Sequence, residues 1–143
     1  QKYFKKELFF TDVEGKTKEE VLKNLCRRVE QEKGLPETFT ASVLKREELT
    51  PTDYGNLVAL PHPERAFQER AFVAVAVLKE PIFWFRQKVQ VVFLTAIGRE
   101  EDENLQQFYE ATTDLILRPA DVQNLIRHPD YDRLIQLLRR AEE

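Results

Sequence analysis

The chain has 143 residues, 22 basic against 25 acidic for a net charge of -3, with 42% hydrophobic and 33% charged residues. That composition suits one domain with one core and excludes a polyanion binder acting through bulk positive charge. No apolar run approaches the ~20 residues of a membrane helix, because Lys79, Glu80, Arg86 and Gln90 interrupt the longest stretches. The amino terminus lacks the charged-then-apolar pattern of a signal peptide. A lone cysteine rules out an internal disulfide and a cysteine-based zinc cluster, and fits a reducing cytoplasm. There is no Met anywhere in the chain, which predicts a segment cut from a longer protein.

Tyr3 to Phe10 reads as a strand, and Lys5, Lys6 and Glu7 mark it as an exposed edge. Asp12 to Gly15 reads as a turn. Thr17 with Glu20 three residues later is a capping-box pattern, followed by Val21, Leu22, Leu25, Cys26 and Val29 on one helical face. Gly34 and Pro36 end that helix. A second helix is predicted over Thr38 to Glu48, broken by Thr50-Pro51-Thr52-Asp53. Leu57 to Leu60 is a short apolar run stopped by Pro61-His62-Pro63.

Ala71 to Leu78 and Val89 to Ile97 are almost continuously apolar, the signature of strands covered on both faces. The aromatic segment Pro81 to Phe85 between them reads as a loop or a short edge strand. From Glu101 onward the period changes to three and four, through Leu105, Phe108, Tyr109, Thr112, Leu115 and Ile116. Asp121 to Arg127 and Tyr131 to Arg140 add two helices, the last with Leu134, Ile135, Leu137 and Leu138 facing in. Residues 1–143 therefore form a single α/β domain, a central sheet flanked by helices.

Few residues carry chemistry. His62 sits between two prolines, each fixing its own φ near -65°, so its imidazole stands on a stiff backbone just beyond a buried strand. With an ordinary pKa of ~6.5, such a ring keeps a lone pair at neutral pH and can accept a phosphoryl group. The competing reading is a histidine that caps the strand end and bonds a local carbonyl. Arg46, in Lys45-Arg46-Glu47-Glu48, either pairs with a neighbouring Glu on the surface or grips a phosphoryl group through two parallel hydrogen bonds. His128, before Pro129-Asp130, reads as solvated, and Cys26 as a buried thiol. Glu100 to Glu103 read as acidic residues favourably placed before a helix. Two histidines and one cysteine make no metal site, and no glycine-rich phosphate loop is present.

Arg46-Glu47, Thr52, Gly55-Asn56 and Val58-Ala59-Leu60-Pro61-His62-Pro63, followed by Pro81-Ile82 with Trp84 and the strand Val89 to Ile97, resemble the mannitol/fructose-type IIA domains of the bacterial phosphotransferase system. Lys45 to Leu49, Gly55-Asn56, Pro61-His62-Pro63 and Leu105-Gln106-Gln107-Phe108-Tyr109 are most similar to the IIA-like domains at the carboxyl end of BglG/LicR-type transcriptional regulators. The resemblance covers essentially the whole chain. It implies a three-layer α/β sandwich, a mixed sheet with helices on both sides.

It also implies that the phospho-carrier HPr phosphorylates His62, with no cofactor and no metal. Arg46 would neutralise the phosphoryl oxygens, while Thr52, Gly55 and Asn56 would bind them. In a transport carrier the phosphoryl group then passes to a IIB partner. In a regulator it adjusts contacts with neighbouring domains of the same polypeptide, and those other domains, not this one, touch nucleic acid. A docking module without phosphorylation is the third alternative. Transport carriers of this type have a second histidine where this chain has Asn104, before Leu105. An amide donates a hydrogen bond but carries no proton into the site. A partner docking over His62 implies an apolar rim, expected from Leu57, Phe67 or Pro81 to Phe85.

Overall fold

The computed structural model describes residues 3–100 and 105–142. Among them the order is β1 (Phe4–Phe10), α1 (Lys18–Lys33), α2 (Thr38–Leu49), β2 (Asp53–Gly55), β3 (Val58–Ala59), β4 (Phe72–Phe83), β5 (Lys88–Ala96), α3 (Leu105–Ile116), α4 (Pro119–Arg127) and α5 (Tyr131–Glu142). The strands form one sheet in the order β1-β4-β5-β3-β2. β1 runs parallel to β4 and β3 parallel to β5, while β4 with β5 and β2 with β3 are antiparallel. The sheet is mixed, and the charged strand β1 lies at its edge.

Side chains of a strand alternate between faces, and both faces are covered here. Phe72, Ala74, Ala76 and Leu78 of β4, with Val92 and Leu94 of β5, pack on Val21, Leu22, Leu25, Cys26 and Val29 of α1 and Phe39 and Val43 of α2. Val73, Val75, Val77, Val91 and Phe93 point the other way, onto Leu115, Ile116, Val122, Leu125, Leu134, Leu137 and Leu138 of α3 to α5. That two-sided burial explains why the two central strands are nearly unbroken apolar runs. The result is the three-layer sandwich. Cys26 is fully buried, and burial, with Glu30 nearby, pushes its thiol well above the ordinary range, so it is inert packing.

Local chemistry sets the helix ends. Thr17 Oγ1 accepts the Glu20 N–H at 3.2 Å, and Glu20 Oε1 accepts the N–H of Lys16 at 2.8 Å, one residue before the expected reciprocal partner. Gly34 closes α1 in the left-handed conformation, φ 66°. A Thr17→Ala chain loses an N-cap, and its urea midpoint is expected to fall by the equivalent of about 1 kcal/mol; an unchanged midpoint would mean that α1 is held by packing alone.

Two elements depart from the sequence expectation. The predicted break at Thr50 to Asp53 leads into β2, three residues long and too short for any periodicity. The aromatic segment is neither loop nor separate edge strand up to Phe83, because β4 continues through Pro81. The register slips between the Val77–Val91 and Ile82–Val89 pairs. Across the slip the Gln90 side-chain amide donates to the carbonyls of Leu78 at 2.9 Å and Lys79 at 3.3 Å, replacing ladder bonds the irregularity removes.

Candidate functional site

The segment carrying His62 is pinned on both sides. The Leu60 N–H donates to the Thr52 carbonyl at 3.0 Å, and the Pro61 carbonyl accepts the Thr95 N–H at 3.0 Å. Pro61 and Pro63 are buried, which turns the half-buried His62 side chain outward between them. Two residues on, the Glu64 N–H donates to Ser42 Oγ of α2 at 2.7 Å. The stiff presentation expected from the two prolines is therefore reinforced by β2, β5 and α2 together.

His62 Nδ1 lies 3.1 Å from the Leu60 carbonyl oxygen. A carbonyl oxygen can only accept, so Nδ1 carries a proton, and in the neutral ring Nε2 keeps the lone pair. The local-carbonyl reading and the nucleophile reading of His62 are thus compatible: the bond to Leu60 is what leaves Nε2 nucleophilic. Beside the ring is a pocket of about 230 Å³ walled by Leu60, Pro63, Ile97 and Tyr109, with Thr95, Thr112 and Thr113. Burial pushes the Tyr109 phenol above its ordinary range, so its hydroxyl stays neutral at physiological pH. Ile97 and Tyr109 are both exposed on the pocket's rim. The apolar rim exists, but Leu57, Phe67 and Pro81 to Phe85 are not among these walls. Phe67 instead packs edge-on against Phe39 in the core on the α1–α2 face.

Arg46 stands one helical turn after Ser42, on the side of α2 that meets the His62 loop. Its guanidinium donates to the Thr50 carbonyl at 3.0 Å, not to a neighbouring Glu. Thr52 is engaged within the fold: its N–H and its hydroxyl both donate to the Glu47 carboxylate, at 2.7 and 2.6 Å. Gly55 (φ 132°), Asn56 (φ 52°) and Leu57 (φ 69°) form the β2–β3 turn. Positive φ at both central residues is the geometry of a tight hairpin. The Asn56 side-chain amide donates to the Ile116 carbonyl, tying that turn to the end of α3. Asn104 lies outside the described residues. Elsewhere, His128 is exposed at the C-cap of α4. Among the described residues no group of three or more His, Cys, Asp or Glu side chains is placed to hold a metal ion, and no helix is long and apolar enough to cross a membrane.

Sequence reasoning named Glu47 only as part of the Arg46-Glu47 motif and gave it no role, yet it is 2% exposed. Besides Thr52 it accepts the indole N–H of Trp84 at 3.0 Å, and Lys18 Nζ stands 3.7 Å away. The signal was present in the chain's single Trp, whose N–H needs an acceptor wherever it is buried. Thr95, Thr112 and Tyr109 were also missed as pocket walls, because the sheet and α3 meet there only in three dimensions.

Comparison with known proteins gives a consistent picture. Residues 2–141 match the family model for the phosphoenolpyruvate-dependent sugar phosphotransferase system, EIIA 2. The probable licABCH operon regulator of Bacillus subtilis is 37% identical over 133 residues, 93% of this chain and 21% of the regulator. The transcriptional regulator ManR of the same organism is 27% identical over 120 residues, 84% of this chain and 18% of ManR. The multiphosphoryl transfer protein 1 of Escherichia coli is 25% identical over 136 residues, 92% of this chain and 16% of that protein. The chain therefore spans about a fifth or less of these relatives. Among solved structures, the nitrogen regulatory protein IIA-Ntr of Neisseria meningitidis superposes with a TM-score of 0.79 at 18% identity, covering 96% of this chain and 97% of that one. The mannitol enzyme IIA of Escherichia coli, solved in complex with phosphorylated enzyme IIB, gives 0.76 at 19% identity, covering 94% and 97%.

Proposed function

The chain belongs to the EIIA 2 family of the phosphoenolpyruvate-dependent sugar phosphotransferase system, and we propose that it is phosphorylated on His62 by phospho-HPr and acts as a sugar-responsive regulatory module within a transcriptional regulator of the cytoplasm. One observation carries the phosphorylation: Nδ1 of His62 is held on the Leu60 carbonyl, leaving the Nε2 lone pair free. In the transfer, Nε2 forms a bond to phosphorus as the bond from phosphorus to the donor's nitrogen breaks. The ring becomes positive while keeping its Nδ1 proton, and the Leu60 carbonyl dipole faces that charge. Arg46 leaves the Thr50 carbonyl, which water satisfies at the exposed helix end, and its planar fork takes the phosphoryl oxygens. Thr52 serves through Glu47, and Gly55 and Asn56 hold the hairpin that carries the His62 strand.

The regulatory part of the proposal is supported by the likeness to two regulators. Asn104, in place of a second histidine, suits a module that holds its phosphate rather than turning it over rapidly, since an amide supplies no proton. A second reading is favoured by the mannitol IIA solved with its phosphorylated IIB: onward transfer to a IIB protein. In either case this domain makes no direct contact with nucleic acid. Incubation with Enzyme I, HPr and phosphoenolpyruvate tests the first step. The expected result is one acid-labile phosphate per chain, with phosphorus–nitrogen couplings that place it on Nε2. No phosphate, or phosphate on another residue, overturns the proposal; loss of the label on adding a IIB protein selects the carrier reading.

A further inference from the structure

In the reading above the Glu47 carboxylate does no more than anchor Thr52, yet it is 2% exposed. A carboxylate out of water is tolerated only when its lone pairs are filled. Here the Thr52 N–H, the Thr52 hydroxyl and the Trp84 indole fill them at 2.7, 2.6 and 3.0 Å, with the Lys18 ammonium at 3.7 Å. From this carboxylate, bonds run in one direction to the imidazole. Oε2 fixes the Thr52 N–H; the Thr52 carbonyl accepts the Leu60 N–H at 3.0 Å; the Leu60 carbonyl accepts the His62 Nδ1–H at 3.1 Å. The N–H and C=O of one residue belong to different peptide groups, so this path does not conduct charge by resonance. It transmits position.

We infer that Glu47 is a positioning residue for phosphoryl transfer, which, by fixing Thr52 and through it Leu60, holds His62 in the tautomer whose lone pair is on Nε2. The inference rests on the reading of His62 as the phosphoryl acceptor. A purely structural carboxylate would instead act like Trp84, which shares the carboxylate but lies off the path. Geometry, not charge, is the requirement. Glu47→Gln keeps the reach: its carbonyl can accept from Thr52 and Trp84 while its amide donates to the Thr52 hydroxyl. Glu47→Asp keeps the charge but retracts it by one methylene, about 1.5 Å.

The test reads the ¹⁵N imidazole spectrum of neutral His62 and the phosphorylation kinetics of three variants whose folding is checked by circular dichroism. Glu47→Asp is expected to raise the share of the tautomer with its proton on Nε2. It should also slow transfer at saturating phospho-HPr by about tenfold, with the donor KM within about twofold of the parent. Glu47→Gln keeps the parent tautomer and a rate within about twofold, and Trp84→Phe lowers the melting temperature while leaving tautomer and rate alone. Glu47→Asp matching the parent, Glu47→Gln losing the tautomer, or Trp84→Phe slowing transfer as much as Glu47→Asp would each overturn the inference. If the parent chain takes no phosphate, the reading of His62 fails by itself, while the tautomer comparison still decides the role of Glu47.

Discussion

A His62→Ala chain takes up no acid-labile phosphate from Enzyme I, HPr and phosphoenolpyruvate, while its stability stays within about 1 kcal/mol of the parent. The two halves of this expectation have different causes. The half-buried ring makes one bond, to a carbonyl two residues away, so its removal leaves a single acceptor at the mouth of an open pocket, where water reaches it. The backbone around it is held by Thr52, Thr95 and Ser42, none of which needs the imidazole. The phosphate has no second home: among the described residues the only other histidine, His128, is exposed at the C-cap of α4, with no backbone carbonyl fixing its ring. An Arg46→Ala chain is the informative contrast, keeping the nucleophile and slowing transfer by about 10²-fold through loss of charge stabilisation. Intact mass after acid and after neutral quench measures both. Phosphate retained by the His62→Ala chain would remove this residue from the reaction altogether.

Much of this architecture could be read from the residues, and the exceptions share a physical cause. Helix α1 carries its whole description locally: cap, apolar stripe and closing glycine. The two central strands are legible because burial on both faces leaves no polar alternation. The Pro61-His62-Pro63 element stands out because proline stiffness is a property of the residue itself. Long-range partners were invisible. Glu47 sits in a run of charged residues and looks like a solvated helix face, and only the return of Thr52 and the arrival of Trp84, just past the end of β4, make it an interior group. β2 lacks the length to reveal a period. Pro81 looks like a strand terminator, but β4 continues past it, and the Gln90 side chain reaching across from β5 fills the carbonyls of Leu78 and Lys79 at the slip. Nor did separation along the chain reveal that Tyr109 and Ile97 would rim the pocket beside His62.

Gly98→Ala is expected to cost about 3 kcal/mol, a drop in melting temperature of roughly 10 °C. The reason is space rather than backbone freedom. A Cβ added at Gly98 would run into the Glu69 carbonyl oxygen and come within 2.6 Å of the Arg70 carbonyl carbon and 2.7 Å of the Ala71 nitrogen, all backbone atoms that cannot rotate away. That close approach is locked from both ends. The Arg99 and Glu100 N–H groups donate to the carbonyls of Gln68 and Glu69 at 3.0 and 2.9 Å, and the Gln68 amide reaches the Ile97 carbonyl at 3.1 Å. Opening the ribbon to admit a methyl group would strain these bonds and shift Ile97, a wall of the His62 pocket, so phosphorylation should slow even where the chain remains folded. Gly34→Ala supplies the control. Nothing lies within 4 Å of its added Cβ, but its φ is +66°, so it should cost only about 1 kcal/mol for the left-handed conformation. Urea unfolding of the two variants side by side ranks space against φ. If Gly98→Ala proves no worse than Gly34→Ala, the ribbon is looser than its bonds imply, and the pocket wall at Ile97 is not held by it.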